Sequence, residues 1–115
     1  MNILGIGNAI VDVICKVEDN FIVENGLTKS TMKLIFDEAE FKKLLSNLKI
    51  EETISGGSVA NSIVGLSQLG DKVGFIGKVN DDDLGQKYED GLKKENVSYI
   101  YSKKKESLAT GTCLI

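Results

Sequence analysis

Histidine, arginine, proline and tryptophan are all missing from these 115 residues. Without histidine the chain lacks the commonest general base and the commonest metal ligand. Without arginine it lacks the planar fork that grips phosphate or guanine in two places at once. Every one of the 14 basic residues is lysine, and 17 acidic residues outnumber them for a net charge of −3. That balance offers no basic face for a nucleic acid. No apolar run approaches the ~20 residues that cross a bilayer. Met1-Asn2-Ile3-Leu4 enters a strand pattern directly, with no charged leader, so the reading is a cytoplasmic protein without a membrane partner. The two cysteines, Cys15 and Cys113, lack CxxC or metal spacing and read as reduced, small hydrophobic side chains. The length suits one domain and no more.

What is present centres on Ser55-Gly56-Gly57-Ser58-Val59-Ala60-Asn61-Ser62. Glu51 to Ile54 reads as a short strand. Val59, Ile63 and Leu66 then recur at helical spacing, which predicts a helix from about Gly57 to Leu69 closed by Gly70. A strand that stops at two glycines and opens a helix exposes backbone N–H groups with no side chains in the way. Such a corner can press against a polar ligand, with Asn61 one turn in. It can equally be a tight turn capped by Ser58.

Ile3 to Gly7 reads as a buried strand, and residues 8–17 keep β-branched character. Gly5-x-Gly7 lacks the third glycine and the helix of a dinucleotide fingerprint, so that reading is rejected. Asp12 is a lone carboxylate in an apolar run; it needs either a wet face or dedicated donors. Glu18 to Gly26 predicts a short helix and Leu27 to Ser30 a loop. Thr31 to Phe36 predicts a strand with Met32 and Leu34 on one face. Asp37 caps a helix whose inward stripe is Phe41, Leu44, Leu45 and Leu48. Val73 to Gly77 predicts a further buried strand. Asp81-Asp82-Asp83 could suggest a metal, but a helix N-terminus favours negative charge, and Leu84, Tyr88 and Leu92 follow at helical spacing. Asn96 ends that helix, Val97 to Tyr101 alternates like a strand, Lys103 to Lys105 reads as a solvated hairpin loop, and Thr110 to Ile115 resumes strand character.

The order of elements predicts an α/β fold, a parallel sheet flanked by helices with a few strands left over. Ending on an apolar strand, the chain reads as the N-terminal portion of a longer protein.

Three stretches, Gly5-Ile-Gly-Asn-Ala-Ile-Val-Asp12, Gly56-Gly-Ser-Val-Ala-Asn61 and Phe75-Ile-Gly-Lys-Val-Asn-Asp-Asp-Asp-Leu-Gly85, resemble in order and spacing the PfkB (ribokinase-like) carbohydrate kinases. GNAIVDV, GGSVANS and TGTC point within that family to the adenosine-kinase-type branch. The resemblance spans essentially all 115 residues but only the first third or so of such an enzyme. It implies a ribokinase-like sheet with a small β-sheet lid, whose strands lie near 11–17, 31–36, 97–102 and 109–115. It also implies that Asp12 accepts hydrogen bonds from two sugar hydroxyls and that Gly56 and Gly57 approach the sugar closely. Asn61 would bind another hydroxyl, Asn8 and Ser58 would lie at the mouth, and Met32, Leu34 and Cys113 would line a base pocket.

In the family, the catalytic base, the ATP pocket and the residues that organise Mg²⁺ lie towards the C-terminus. The resemblance therefore assigns no catalytic or metal-binding residue here, and predicts that the chain alone is inactive. ATP and Mg²⁺ would serve only the full-length enzyme, which phosphorylates a primary hydroxyl of a ribose-like sugar or nucleoside. Two alternatives stand beside this: a ribose- or fructose-type kinase of the same family, and a non-catalytic interaction module that pairs through its lid strands. A missing C-terminal part would leave a sheet edge and apolar faces uncovered, so self-association is expected.

Overall fold

The computed structural model describes residues 1–115. In chain order the elements are β1 (Ile3–Ile6), β2 (Ile10–Cys15), α1 (Asp19–Glu24), α2 (Glu38–Ser46), β3 (Ile50–Gly56), α3 (Ser58–Gln68), β4 (Val73–Ile76), α4 (Asp83–Lys94), β5 (Ser98–Tyr99) and β6 (Thr112–Leu114). They form two compact units, Met1–Ile14 with Glu52–Ile115, and Cys15–Glu51. No helix is long and apolar enough to cross a membrane.

The main sheet of the larger unit has the order β1-β4-β5 and is parallel throughout. β4, α4 and β5 make one parallel crossover, the connection such strands require. Gly5, Phe75 and Tyr99 stand in register on one face. That face is covered: Phe75, Tyr88 and Leu92 are fully buried, as are Ala60 and Ile63 of α3. The other face is not. Leu4 is 47% and Ile6 70% exposed, with Met1 and Ile100 also open to solvent. Helices α3 and α4 flank the sheet on its covered face.

A second sheet has the order β3-β2-β6, with β2 and β6 parallel and Asp12 paired to Cys113. Its core side is set by alternation, since Val11 and Val13 are buried while Asp12 between them is only partly so. The 97–102 segment, expected among the lid strands, instead pairs through β5 with β4 in the main sheet. Tyr99 explains the difference, because its ring packs edge-on against buried Tyr88 and its hydroxyl donates to the Gly77 carbonyl.

The smaller unit is helical. α1 ends at Glu24 with Asn25 as its C-cap, and Gly26 follows with a φ of 65°, which suits a residue without a Cβ. α2 is capped by Asp37, which accepts from the Ala39 amide at 2.9 Å as expected. Thr31 to Phe36, read from alternation as a strand, has no strand partner. Met32 and Phe36 are 85% and 91% exposed and Leu34 is open as well. Alternating apolar residues make a strand only where a neighbouring edge accepts their backbone, and none pairs with this segment.

Candidate functional site

Two backbone features build the corner at residues 55–58. β3 ends at Gly56, and Gly57, with φ 100° and ψ 135°, is the N-cap of α3 with no side-chain cap bond. Ser58 is therefore the first helical residue and not the cap that the alternative reading of a tight turn made it. Both glycines are enforced by contact. A Cβ on Gly57 would overlap the Asn8 carbonyl oxygen, and one on Gly56 would stand 2.7 Å from Asp12 Cγ and overlap its carboxylate.

Asn8 thus lies against Gly57 and Asp12 against Gly56, and strand register sets exposed Cys113 beside Asp12. Asp12 is half-buried. It differs sharply from Asp82, which accepts from the Gly85 amide at 2.7 Å, the Thr110 amide at 2.9 Å and the Thr110 hydroxyl at 2.6 Å. Asp12 accepts from no protein side chain, so of the two possibilities open to it, the wet face holds. The negative charge reaches inward as well. Burial raises the Tyr88 hydroxyl above the usual phenol range, and the Asp12 carboxylate raises it further.

Tyr88 was not singled out for this site by its sequence. Its hydroxyl donates to the Gly56 carbonyl at 3.1 Å, while Ser55 Oγ donates to the Tyr88 carbonyl at 2.9 Å. The only sequence signal was a tyrosine on an otherwise aliphatic inward stripe, because a buried phenol needs an acceptor.

Asn61 follows one turn into α3, exposed, and lines a groove with Thr53, Ser55, Val64 and Lys87. Met32 and Leu34 belong to the smaller unit, solvent-exposed in the unpaired segment.

Capping accounts for the acidic triplet. Asp82 is the N-cap of α4. Burial pushes its carboxyl up, but the Thr110 hydroxyl and amide, the Gly85 amide and the Lys105 charge together hold it below the usual carboxylate range. Asn80 completes this junction: its side chain donates to the carbonyls of Glu106 and Leu108 and accepts from the Glu106 amide. Residues 106–110 are thereby tied to the start of α4, which fixes where β6 begins. Lys103 departs from the solvated loop expected for it. It pairs with Glu89, which also holds Lys93, and the Glu89 carboxyl is lowered chiefly by hydrogen bonds from Lys103 and Lys93. No cluster of three metal-ligating side chains forms in the chain.

A family model described as pfkB family carbohydrate kinase matches residues 19–115. The chain belongs to the pfkB family of carbohydrate kinases. It is similar to the 5-dehydro-2-deoxygluconokinase of Clostridium perfringens, 45% identical over 62 residues that make up 54% of this chain and 18% of that protein. Among solved structures it is similar to a probable sugar kinase from Rhizobium etli and to the adenosine kinase from Sinorhizobium meliloti. Each is 33% identical with a TM-score of 0.82 over 97% of this chain and 34% of theirs. The fold is accordingly ribokinase-like, and the chain spans about a third of the length of those structures. As a pfkB-family chain it has sugar- and nucleoside-kinase relatives, which fits the kinase parent implied by its motifs.

Proposed function

We propose that these residues form the substrate-holding part of an ATP-dependent kinase that phosphorylates a primary hydroxyl of a ribose-like sugar or nucleoside. One observation carries the reading: Asp12 presents a half-buried carboxylate, free of protein donors, against a two-glycine corner. An ionised carboxylate is acceptor-only, and two adjacent hydroxyls of a sugar supply the donors it lacks. Bare Gly56 and Gly57 let the Asp12 carboxylate and the Asn8 carbonyl pack against the corner that the sugar would approach, and Cys113, in register with Asp12, would border it. Asn8, Ser58 and Asn61 would add polar contacts at the mouth, and Met32 and Leu34 would reach a base or other substituent once substrate is bound. Strands β2 and β6, with residues 31–36, would form a lid that excludes water from phosphoryl transfer.

Mg²⁺–ATP supplies the phosphoryl group in such kinases. None of the acidic residues here makes a three-ligand cluster, and Asp82 is committed to its cap. The resemblance assigns the nucleotide, the metal and the catalytic base to the C-terminal part of such a kinase. The chain alone would bind without catalysing, in a cytoplasmic setting.

The names of the relatives leave a sugar acid and a nucleoside both open. The test is thermal stabilisation by 5-dehydro-2-deoxygluconate, adenosine, D-ribose and D-fructose, in this chain and in Asp12→Asn. Stabilisation by one compound that disappears in the variant supports the reading. Equal stabilisation of both proteins overturns it.

The open face of Leu4, Ile6, Met1 and Ile100 favours a second statement: in the whole kinase the rest of the chain covers it, and without that part the chain self-associates. Size-exclusion chromatography should show oligomers that Ile6→Lys disperses. A monomer at all concentrations would refute this.

A further inference from the structure

The Gly56–Gly57 peptide is polar on both edges, and the fold controls only one of them directly. Tyr88 is fully buried, its ring held against Phe75 and Tyr99 at centroid distances of 6.2 and 6.0 Å. Its hydroxyl ends at the Gly56 carbonyl, 3.1 Å away. No peptide bond in the chain is cis. In a trans peptide the carbonyl and the following N–H point in opposite directions. Holding the Gly56 oxygen towards the core therefore turns the Gly57 N–H away from it. Glycine at both positions gives the peptide no side chain to resist rotation, so an outside restraint is needed.

We propose that Tyr88 is a positioning residue: its hydroxyl locks the Gly56–Gly57 peptide so that the Gly57 N–H is presented outward as a donor beside the Asp12 acceptor. This rests on the substrate-site reading above. A ligand hydroxyl placed there can donate to Asp12 while accepting from Gly57, a pairing that neither residue provides alone. The same hydrogen bond keeps the Tyr88 proton off Asp12 and leaves both carboxylate oxygens for the ligand. Ser55 closes the arrangement from the other side by donating to the Tyr88 carbonyl, which ties α4 to the end of β3.

Tyr88→Phe retains the ring packing and removes only the hydroxyl. Ser55→Ala serves as the comparison, since it deletes a neighbouring hydrogen bond that does not touch the Gly56 carbonyl. Two readouts apply to the full chain. In amide NMR spectra, Tyr88→Phe should move or broaden the Gly57 N–H resonance as its peptide loses a fixed orientation, and Ser55→Ala should leave that resonance in place. In titrations with 5-dehydro-2-deoxygluconate and adenosine, Tyr88→Phe should weaken the binding compound about three- to tenfold, the worth of one hydrogen bond, and Ser55→Ala should not. An unchanged Gly57 resonance in Tyr88→Phe overturns the proposal, as does equal weakening by both variants. If neither compound binds the unmodified chain, the substrate-site reading falls, and the Gly57 resonance alone decides whether Tyr88 sets the peptide.

Discussion

Gly56→Ala separates folding from binding at this corner. The new Cβ would sit 2.7 Å from Asp12 Cγ, where ordinary contact begins at 3.4 Å. The carboxylate must therefore retreat by roughly 0.7 Å or more, which a turn about χ1 provides at about 1 kcal/mol because the side chain is half open to solvent. Folding should thus survive with a small loss. Binding should not. Hydrogen bonds to a charged acceptor contribute about 1.5–3 kcal/mol each, so displacing Asp12 from two hydroxyls costs about 3–6 kcal/mol, at least a hundredfold in affinity. Gly57→Ala makes the opposite case. There the obstacle is the Asn8 backbone carbonyl, which cannot swing aside, and φ is 100°. About 1–3 kcal/mol of strain should appear in the fold itself. Thermal melts with and without 5-dehydro-2-deoxygluconate or adenosine distinguish the two. Gly56→Ala should melt within a few degrees of the parent and respond to neither compound, whereas Gly57→Ala should melt well below it. Equal destabilisation by both, or full ligand response in Gly56→Ala, would refute the geometry.

Two further expectations concern thiols and acid. Cys113 is exposed, whereas burial and then the Glu51 charge raise the Cys15 thiol; iodoacetamide should label Cys113 first, and a compound seated on Asp12 should slow that labelling but leave Cys15 unchanged. Mass spectrometry of the two peptides reads the outcome, and identical rates with and without ligand would argue against Cys113 bordering the site. The folded carboxyls of Asp82 and Glu89 are depressed, so the stability they contribute is present above the ordinary carboxylate range and is lost as pH falls through their lowered values. Denaturant melts from pH 6 to pH 2.5 should show that loss, with Asp82→Asn flattening the slope below about pH 4. Asp82→Ala should also cost about 0.5–2 kcal/mol at pH 7 as a lost cap.

Local chemistry made most of this architecture legible. Gly57, Gly70 and Asn96 all hold positive φ, and each stands where the sequence placed a helix boundary. Asp37 and Asp82 cap the helices expected of them. The failures share a cause. Thr31 to Phe36 alternates well enough for a strand, and Val97 to Tyr101 was assigned to the lid, because alternation specifies a pleated surface but not its partner. Partner choice is tertiary: Tyr99 is drawn to the main sheet by the Tyr88 ring and the Gly77 carbonyl, both distant in sequence. The same limit hid Tyr88 itself, since nothing local connects it to Gly56, 32 residues away.

With Asp12 as the proposed substrate-holding group, its contrast with Asp82 suggests what a binding carboxylate requires. Asp82 and Asp12 both sit in partly buried backbone, yet Asp82 is saturated by three protein donors and Asp12 by none. A saturated carboxylate is a structural strut, because a ligand would have to displace bonds already made. An unsaturated one keeps water in its place, and water is exchangeable for a ligand hydroxyl at little net cost. The site's specificity must then come from the neighbours that fix where the second hydrogen bond falls. On the proposal above that neighbour is a peptide oriented by one phenol, so a change buried in the core should be felt first in affinity and only later in stability.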